Sequence, residues 1–211
     1  DALTEKLGFR RYDYWTWDNR AKIYIYPDQE TYALNTRQPS WSSGAASYEL
    51  KTIWTFPREA GFFDSLLPHE IGHIIFREVI GSRRVPLWLE EGVASYLETA
   101  KRFGSEKIVL DAMEEGSFIP LETLSQMGGL ALRNEKSVQL FYAESISVVS
   151  FLIDRFGVDR FNRLCERIKA GKSFDDALGG AYFEIGSEKD LSRLWEQSLR
   201  DKSGLKKRTM L

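Results

Sequence analysis

The chain contains two histidines, His69 and His73. They stand four residues apart, and a glutamate follows the first: His69-Glu70-Ile71-Gly72-His73. Two histidines placed at random would show that spacing with a chance on the order of one in a hundred, before the adjacent Glu70 is considered. A helix turns about 100° per residue, so positions i and i+4 project from one face, one turn apart. That puts two imidazole nitrogens where a single tetrahedral metal ion can take both. Glu70 lies beside that face, where its carboxylate can reach a water on the metal without being forced to ligate. The chemistry this predicts is metal-assisted hydrolysis, with Glu70 as general base.

Two histidines leave such a site incomplete, because a catalytic zinc usually takes three protein ligands and a water. The chain has no third histidine and a single cysteine, so the remaining ligand is a carboxylate or else Cys165. Cys165 sits in a helical pattern (FNRLCERI) and reads as a small buried apolar residue. The segment Trp88-Leu89-Glu90-Glu91-Gly92-Val93-Ala94-Ser95-Tyr96-Leu97-Glu98 offers Glu90 and Glu91. These differ by about 100° of rotation, so only one can face the metal, and the apolar residues around them do not settle which. Gly92 and Ala94 are small enough to let this helix approach the histidine helix closely.

The elements that must hold these residues fall into a β-rich and a helical region. Ala21 to Tyr26 (AKIYIY) reads as a strand, and Pro27 and Asp28 open a short helix over about residues 28–35. Tyr48 to Phe56 alternates again, and Glu49 and Lys51 on one face predict a half-solvated or edge strand. Beyond Pro57 the pattern turns helical. Ser65 is positioned to cap a helix with Pro68 in its first turn and a stop at Gly81. Helices follow over about 87–102, 106–115, 137–156, 158–170, 173–180 and 187–200, with loops at Pro120 and at Gly128-Gly129. The fold class is therefore α+β, a small N-terminal mixed or antiparallel sheet followed by a mostly helical region. Residues 1–60 form the β-rich region, 61–200 the helical region with the metal site, and 201–211 a basic tail, in one compact domain.

Composition narrows the function. Lys and Arg number 29 against 31 Asp and Glu, so no basic surface suits nucleic acid. Charges interrupt the apolar stretches before they reach the roughly 18 residues that a membrane span requires. The single cysteine excludes an internal disulfide and a Cys-rich zinc finger.

HEIGH followed by WLEEGVASYLE resembles the gluzincin metallopeptidases, in particular the bacterial peptidase-MA-like family, and is similar to the zinc segment of the M1 aminopeptidases. Seventeen residues separate His73 from Glu91, close to the spacing of those families. Tyr142-Ala143-Glu144-Ser145 and the segment Ser150 to Gly157 are similar to a later helix of peptidase-MA-like proteins. The resemblance spans most of residues 20–200. It implies a zinc-dependent metallopeptidase with zinc on His69, His73 and Glu91, Glu90 at the variable position, and a metal-activated water with Glu70 as general base. It also implies that Tyr142 donates to the oxyanion; Tyr96, one helical turn past Gly92, is the weaker alternative and either donates or packs. Ser95, four residues after Glu91, either orients a zinc-bound histidine or simply packs. A peptide or protein substrate is expected to bind in extended form along strand 48–55, and Trp15, Trp17, Trp41 and Trp54 either line the cleft or fill the core.

No Gly-x-Met-Glu-Asn motif precedes His69, so the M1 apparatus for gripping a free amino terminus is not visible. The alternatives are an aminopeptidase and a catalytically inactive gluzincin-like domain that binds metal and a partner. The resemblance further implies an extracytoplasmic protein (secreted, periplasmic or surface-anchored) whose export signal is not among these residues.

Overall fold

The computed structural model describes Leu7 and residues 20–39, 42–57, 61–128 and 135–204. Trp15, Trp17, Trp41, Gly129 and residues 205–211 of the expected tail lie outside them.

The N-terminal region is a three-stranded sheet in the order β1-β3-β2. Strand β1 (Lys22–Ile25) runs parallel to β3 (Thr52–Thr55), with Ile23 opposite Ile53. Helix α1 (Gln29–Thr36) makes the crossover, and the Asp28 carboxylate caps it by accepting the Thr31 N–H at 2.8 Å. Strand β2 (Gly44–Ser47) pairs antiparallel with β3, Ala46 opposite Ile53. The sheet is thus mixed.

Residues 48–55 are not one edge strand. Residues 48–51 form the turn that joins β2 to β3, and Lys51 takes a left-handed backbone there (φ 47°). Strand β3 is central and paired on both sides, so the free edge beside the helical region belongs to β2. The alternation that reads as an edge strand comes from a turn running into a buried strand.

A π-helical turn (Phe62–Leu66) leads into α2 (Leu67–Ile80), which carries Pro68 in its first turn and ends at Gly81. Ser65 does not cap it; the hydroxyl is spent on Glu98. Helix α3 (Leu87–Tyr96) is followed by α4 (Thr99–Glu115), so the helix expected over 87–102 breaks at Leu97 and Glu98. Glu98 takes an extended ψ of 92° while Ser65, His69 and Lys101 all bond its carboxylate. Helix α5 (Leu121–Gln126) occupies the stretch after Pro120. Then come α6 (Glu135–Phe156), α7 (Val158–Lys169), α8 (Phe174–Ala181) and α9 (Glu188–Ser203), the last running into the expected tail.

Helix α3 is the hub. A Cβ on Gly72 of α2 would lie 2.9 Å from the Ala94 Cα, so α2 and α3 touch backbone to backbone. Gly92 serves the opposite face: a Cβ there would lie 2.5 Å from the Ser145 carbonyl oxygen of α6. Ala94 therefore admits the histidine helix as expected, whereas Gly92 admits α6. Helix α6 is long and apolar enough to cross a bilayer by length and composition. Its apolar residues instead fill the core, with Phe141, Val148, Val149 and Leu152 fully buried.

Helix α6 also carries Glu144, fully buried; Oε1 accepts the Ile119 N–H at 2.9 Å and Oε2 has no hydrogen-bond partner. Burial raises its carboxyl from 4.5 to about 8. Folded and unfolded chains both hold this proton below pH 4.5. Between there and pH 8 the unfolded chain ionises first, so stability is lost as pH rises through that window. Glu144→Gln is therefore expected to be close to neutral at pH 4 and stabilising by on the order of 1–4 kcal/mol at pH 8, read by urea unfolding at both pH values.

Candidate metal centre

Helix α2 presents His69 and His73 one turn apart, as the spacing predicts, with the two Nε2 atoms 3.1 Å apart. Glu91 of α3 completes the group: its Oε2 lies 3.5 Å from His69 Nε2 and 3.7 Å from His73 Nε2. Among the described residues these three form a cluster able to hold a metal ion. Zinc-to-ligand bonds of about 2.0–2.2 Å imply tetrahedral donor separations of about 3.3–3.5 Å, close to the three distances seen. Glu91 Oε2 is buried and has no hydrogen-bond partner. Both imidazoles face this oxygen, and a charged His69 ring offsets part of the cost of burying it. Two ring nitrogens and a carboxylate oxygen at this spacing fit a divalent metal.

The Glu90 side chain turns away. It forms a two-pronged ion pair with Arg77, through Nε at 2.8 Å and through Nη2. Its Oε1 stays 4.0 Å from His73 Nδ1, behind the ring. Helical rotation separates the two glutamates, and the Arg77 guanidinium holds Glu90 on the far side. Cys165 is buried in the apolar core and is not a member of the cluster.

Glu98 is the residue that sequence reading missed. It is buried, and its Oε1 accepts from His69 Nδ1 at 2.9 Å and from Lys101 Nζ at 2.9 Å, while Ser65 bonds Oε2. A carboxylate on Nδ1 fixes the tautomer and aims the Nε2 lone pair at the metal position. Ser95 Oγ lies 3.2 Å from the same Nδ1, so it both packs and orients. Glu98 stands seven residues after Glu91, a spacing that shares one face of a continuous helix and is its sequence signal; the break after Tyr96 obscures it.

The electrostatics follow from crowding four acids around two imidazoles. Burial lowers the His69 pKa, but Glu91 and Glu98 outweigh it and carry the ring to about 9. Burial dominates at His73 and pulls it down. Glu91 stays below the usual range despite burial, because both histidines face it. Glu70 is buried with Glu91 and Glu98 nearby, and its carboxyl rises to about 7. Tyr142 of α6 is pushed up by burial first and by the Glu91 charge second, so its phenol stays protonated. Its ring centroid is 6.3 Å from that of His69. Tyr96 is committed elsewhere, donating to Asp154 at 3.1 Å under the Arg102 guanidinium.

Strand β2 forms the opposite wall. A Cβ on Gly44 would lie 2.9 Å from Glu70 Oε1, so glycine makes the room that Glu70 occupies. Two arms of one cleft meet here, sharing Ser42, Gly44, His69, Glu70 and Tyr142. Trp54, half-buried on the central strand, lines neither arm.

The Peptidase MA superfamily pattern matches residues 16–201, and the chain belongs to that superfamily. No curated protein matches the chain. Membership and the His69-His73-Glu91 cluster together define a metallopeptidase-like domain with a group able to hold a metal ion at its centre.

Two substitutions test this arrangement. Glu98→Ala is expected to weaken metal affinity by about 10- to 100-fold, read by chelator competition, while Glu90→Ala changes it far less. Gly44→Ala is expected to displace the Glu70 carboxylate with metal affinity and unfolding midpoint within error of wild type; a shift in either would relocate the clash to the fold.

Proposed function

We propose that the protein is a zinc-dependent metallopeptidase that hydrolyses internal peptide bonds of polypeptide substrates. His69 Nε2, His73 Nε2 and Glu91 Oε2 would hold the zinc, two nitrogens and an oxygen suiting that ion. When bound, zinc supplies a Lewis acid that polarises the scissile carbonyl and lowers the pKa of water.

The chain's own residues do the rest. Glu70, buried beside the three donors, takes a proton from the attacking water. The same oxygen returns a proton to the departing amine, so one carboxyl serves as base and then as acid. The Tyr142 hydroxyl donates to the oxygen that gains charge as the carbonyl is attacked. Glu98 holds the Nδ1 proton of His69 and keeps the ring oriented. The free edge of β2 offers backbone groups to an extended peptide, a mode tolerant of sequence.

The observation that carries this reading is the convergence of His69 Nε2, His73 Nε2 and Glu91 Oε2 within 3.7 Å of one another, with a buried Glu70 beside them. A cleft running on both sides of Glu70 supports internal cleavage over removal of terminal residues. Elemental analysis is expected to find one zinc per chain. Cleavage of an unfolded protein is expected to fall about 10²- to 10⁴-fold in Glu70→Gln with zinc retained. Equal cleavage by both proteins, or stoichiometric zinc with no cleavage by either, would overturn the peptidase reading in favour of a binding domain.

A further inference from the structure

A carboxylate stands behind each of the two imidazoles, and the two are held differently. Glu98 touches its ring, Oε1 accepting from His69 Nδ1 at 2.9 Å. Glu90 does not: its Oε1 lies 4.0 Å from His73 Nδ1, beyond hydrogen-bond reach. The residue that keeps it there is Arg77. His69, His73 and Arg77 are spaced four apart on α2, so the guanidinium lies on the histidine face, one turn past His73. Arg77 Nε donates at 2.8 Å to Glu90 Oε1, the same oxygen that faces the ring, and Nη2 donates to Oε2. Nη1 donates to the Arg83 carbonyl oxygen at 2.9 Å, in the loop between α2 and α3. The guanidinium is thus fixed from two sides, through a planar fork that no other side chain offers. Side-chain exposure is 25% for Arg77 and 19% for Glu90, so water competes little for the pair.

We propose that Arg77 is a positioning residue for the metal centre: it withholds the Glu90 carboxylate from His73, so that only one of the two ligand rings carries a carboxylate partner. The inference rests on reading His69, His73 and Glu91 as metal ligands, and it adds a residue that acts on them through another. A carboxylate bonded to the outer N–H of a ligating imidazole makes the ring a stronger donor and tightens the metal. Glu98 does this for His69, while Lys101 meets its charge at 2.9 Å. Arg77 meets the charge of Glu90 and also keeps that carboxylate off the ring. A second partnered ring would bring one more negative charge against the site, hold a divalent ion more tightly and leave it a weaker Lewis acid. With Arg77 replaced by an apolar side chain, Glu90 Oε1 faces the His73 N–H, and about 1 Å of side-chain movement makes the bond.

The test is a cycle of zinc affinities, read by chelator competition on wild type, Arg77→Met, Glu90→Ala and the double variant. Arg77→Met is expected to bind zinc about 10-fold more tightly than wild type. Glu90→Ala and the double variant are expected to stay within about threefold of wild type, because the carboxylate that moves is gone. An Arg77 that only supports the fold gives unchanged or weaker binding when it is removed; that result, or tightening that persists in the double variant, overturns the proposal. A second readout needs no variant. The chain has two histidines, so zinc-loaded wild type labelled with ¹⁵N-histidine is expected to show one slowly exchanging ring N–H, His69 against Glu98, and one in rapid exchange with water. Two slow ring N–H groups in wild type overturn the proposal, and this measurement decides if Arg77→Met does not fold. Wild type that binds no zinc ends the metal reading and the inference with it, whereas bound zinc with affinity unmoved in Arg77→Met ends the inference alone.

Discussion

The centre of the protein is built around a buried carboxylate that two imidazoles share. Glu91 Oε2 lies 3.5 Å from His69 Nε2 and 3.7 Å from His73 Nε2, and the histidines keep it ionised despite burial. A buried carboxylate is costly without a compensating charge, so its neighbours must stay in place. The surrounding structure is consistent with that demand. Helix α3 is pressed against α2 through Gly72 and Ala94, which brings Glu91 to the histidines, and against α6 through Gly92, which brings Tyr142. The small residues matter because a methyl group at either glycine would push a pair of helices apart, and the donors with them.

Four glutamates within reach of two histidines would repel one another if they shared one environment. Their surroundings divide the work instead. Arg77 neutralises Glu90. Glu98 is held by Ser65, His69 and Lys101, and it stays ionised despite burial. Glu91 faces the imidazoles and stays ionised as well. Glu70 has no such donors and is raised to about 7. One residue type thus covers an ion pair, a ring orienter, a ligand candidate and a carboxyl held near neutrality, separated by which cations and hydroxyls stand next to each.

The sheet enters this chemistry only through its edge. Strand β3 is paired on both sides, so the cleft is bounded by β2, a strand of small residues (Gly44-Ala45-Ala46-Ser47) that leaves space for Glu70. The helical side contributes a polar and an apolar arm that meet at Glu70 and Tyr142. The wall of the cleft and the side chains at its centre are therefore set by different elements.

Much of this was legible from residue order. The i, i+4 histidines and their glutamate depend on helical rotation alone, and so did the restriction to one of Glu90 and Glu91. Helix boundaries at Gly81 and Phe156 followed from local stop signals. What local pattern does not contain is the partner across a contact. Which glutamate faces the histidines depended on Arg77, thirteen residues away in sequence, claiming the other. The break at Glu98 coincides with bonds to Ser65 of the π-helical turn and His69 of α2, against a sequence that reads as continuous helix. The turn at 48–51 hid the true edge strand because alternation marks exposure of faces, and the pairing of edges is settled only when β1 arrives beside β3. Rotation along one helix is a property of the chain; the charges, hydroxyls and strands that meet it exist only once the helices pack.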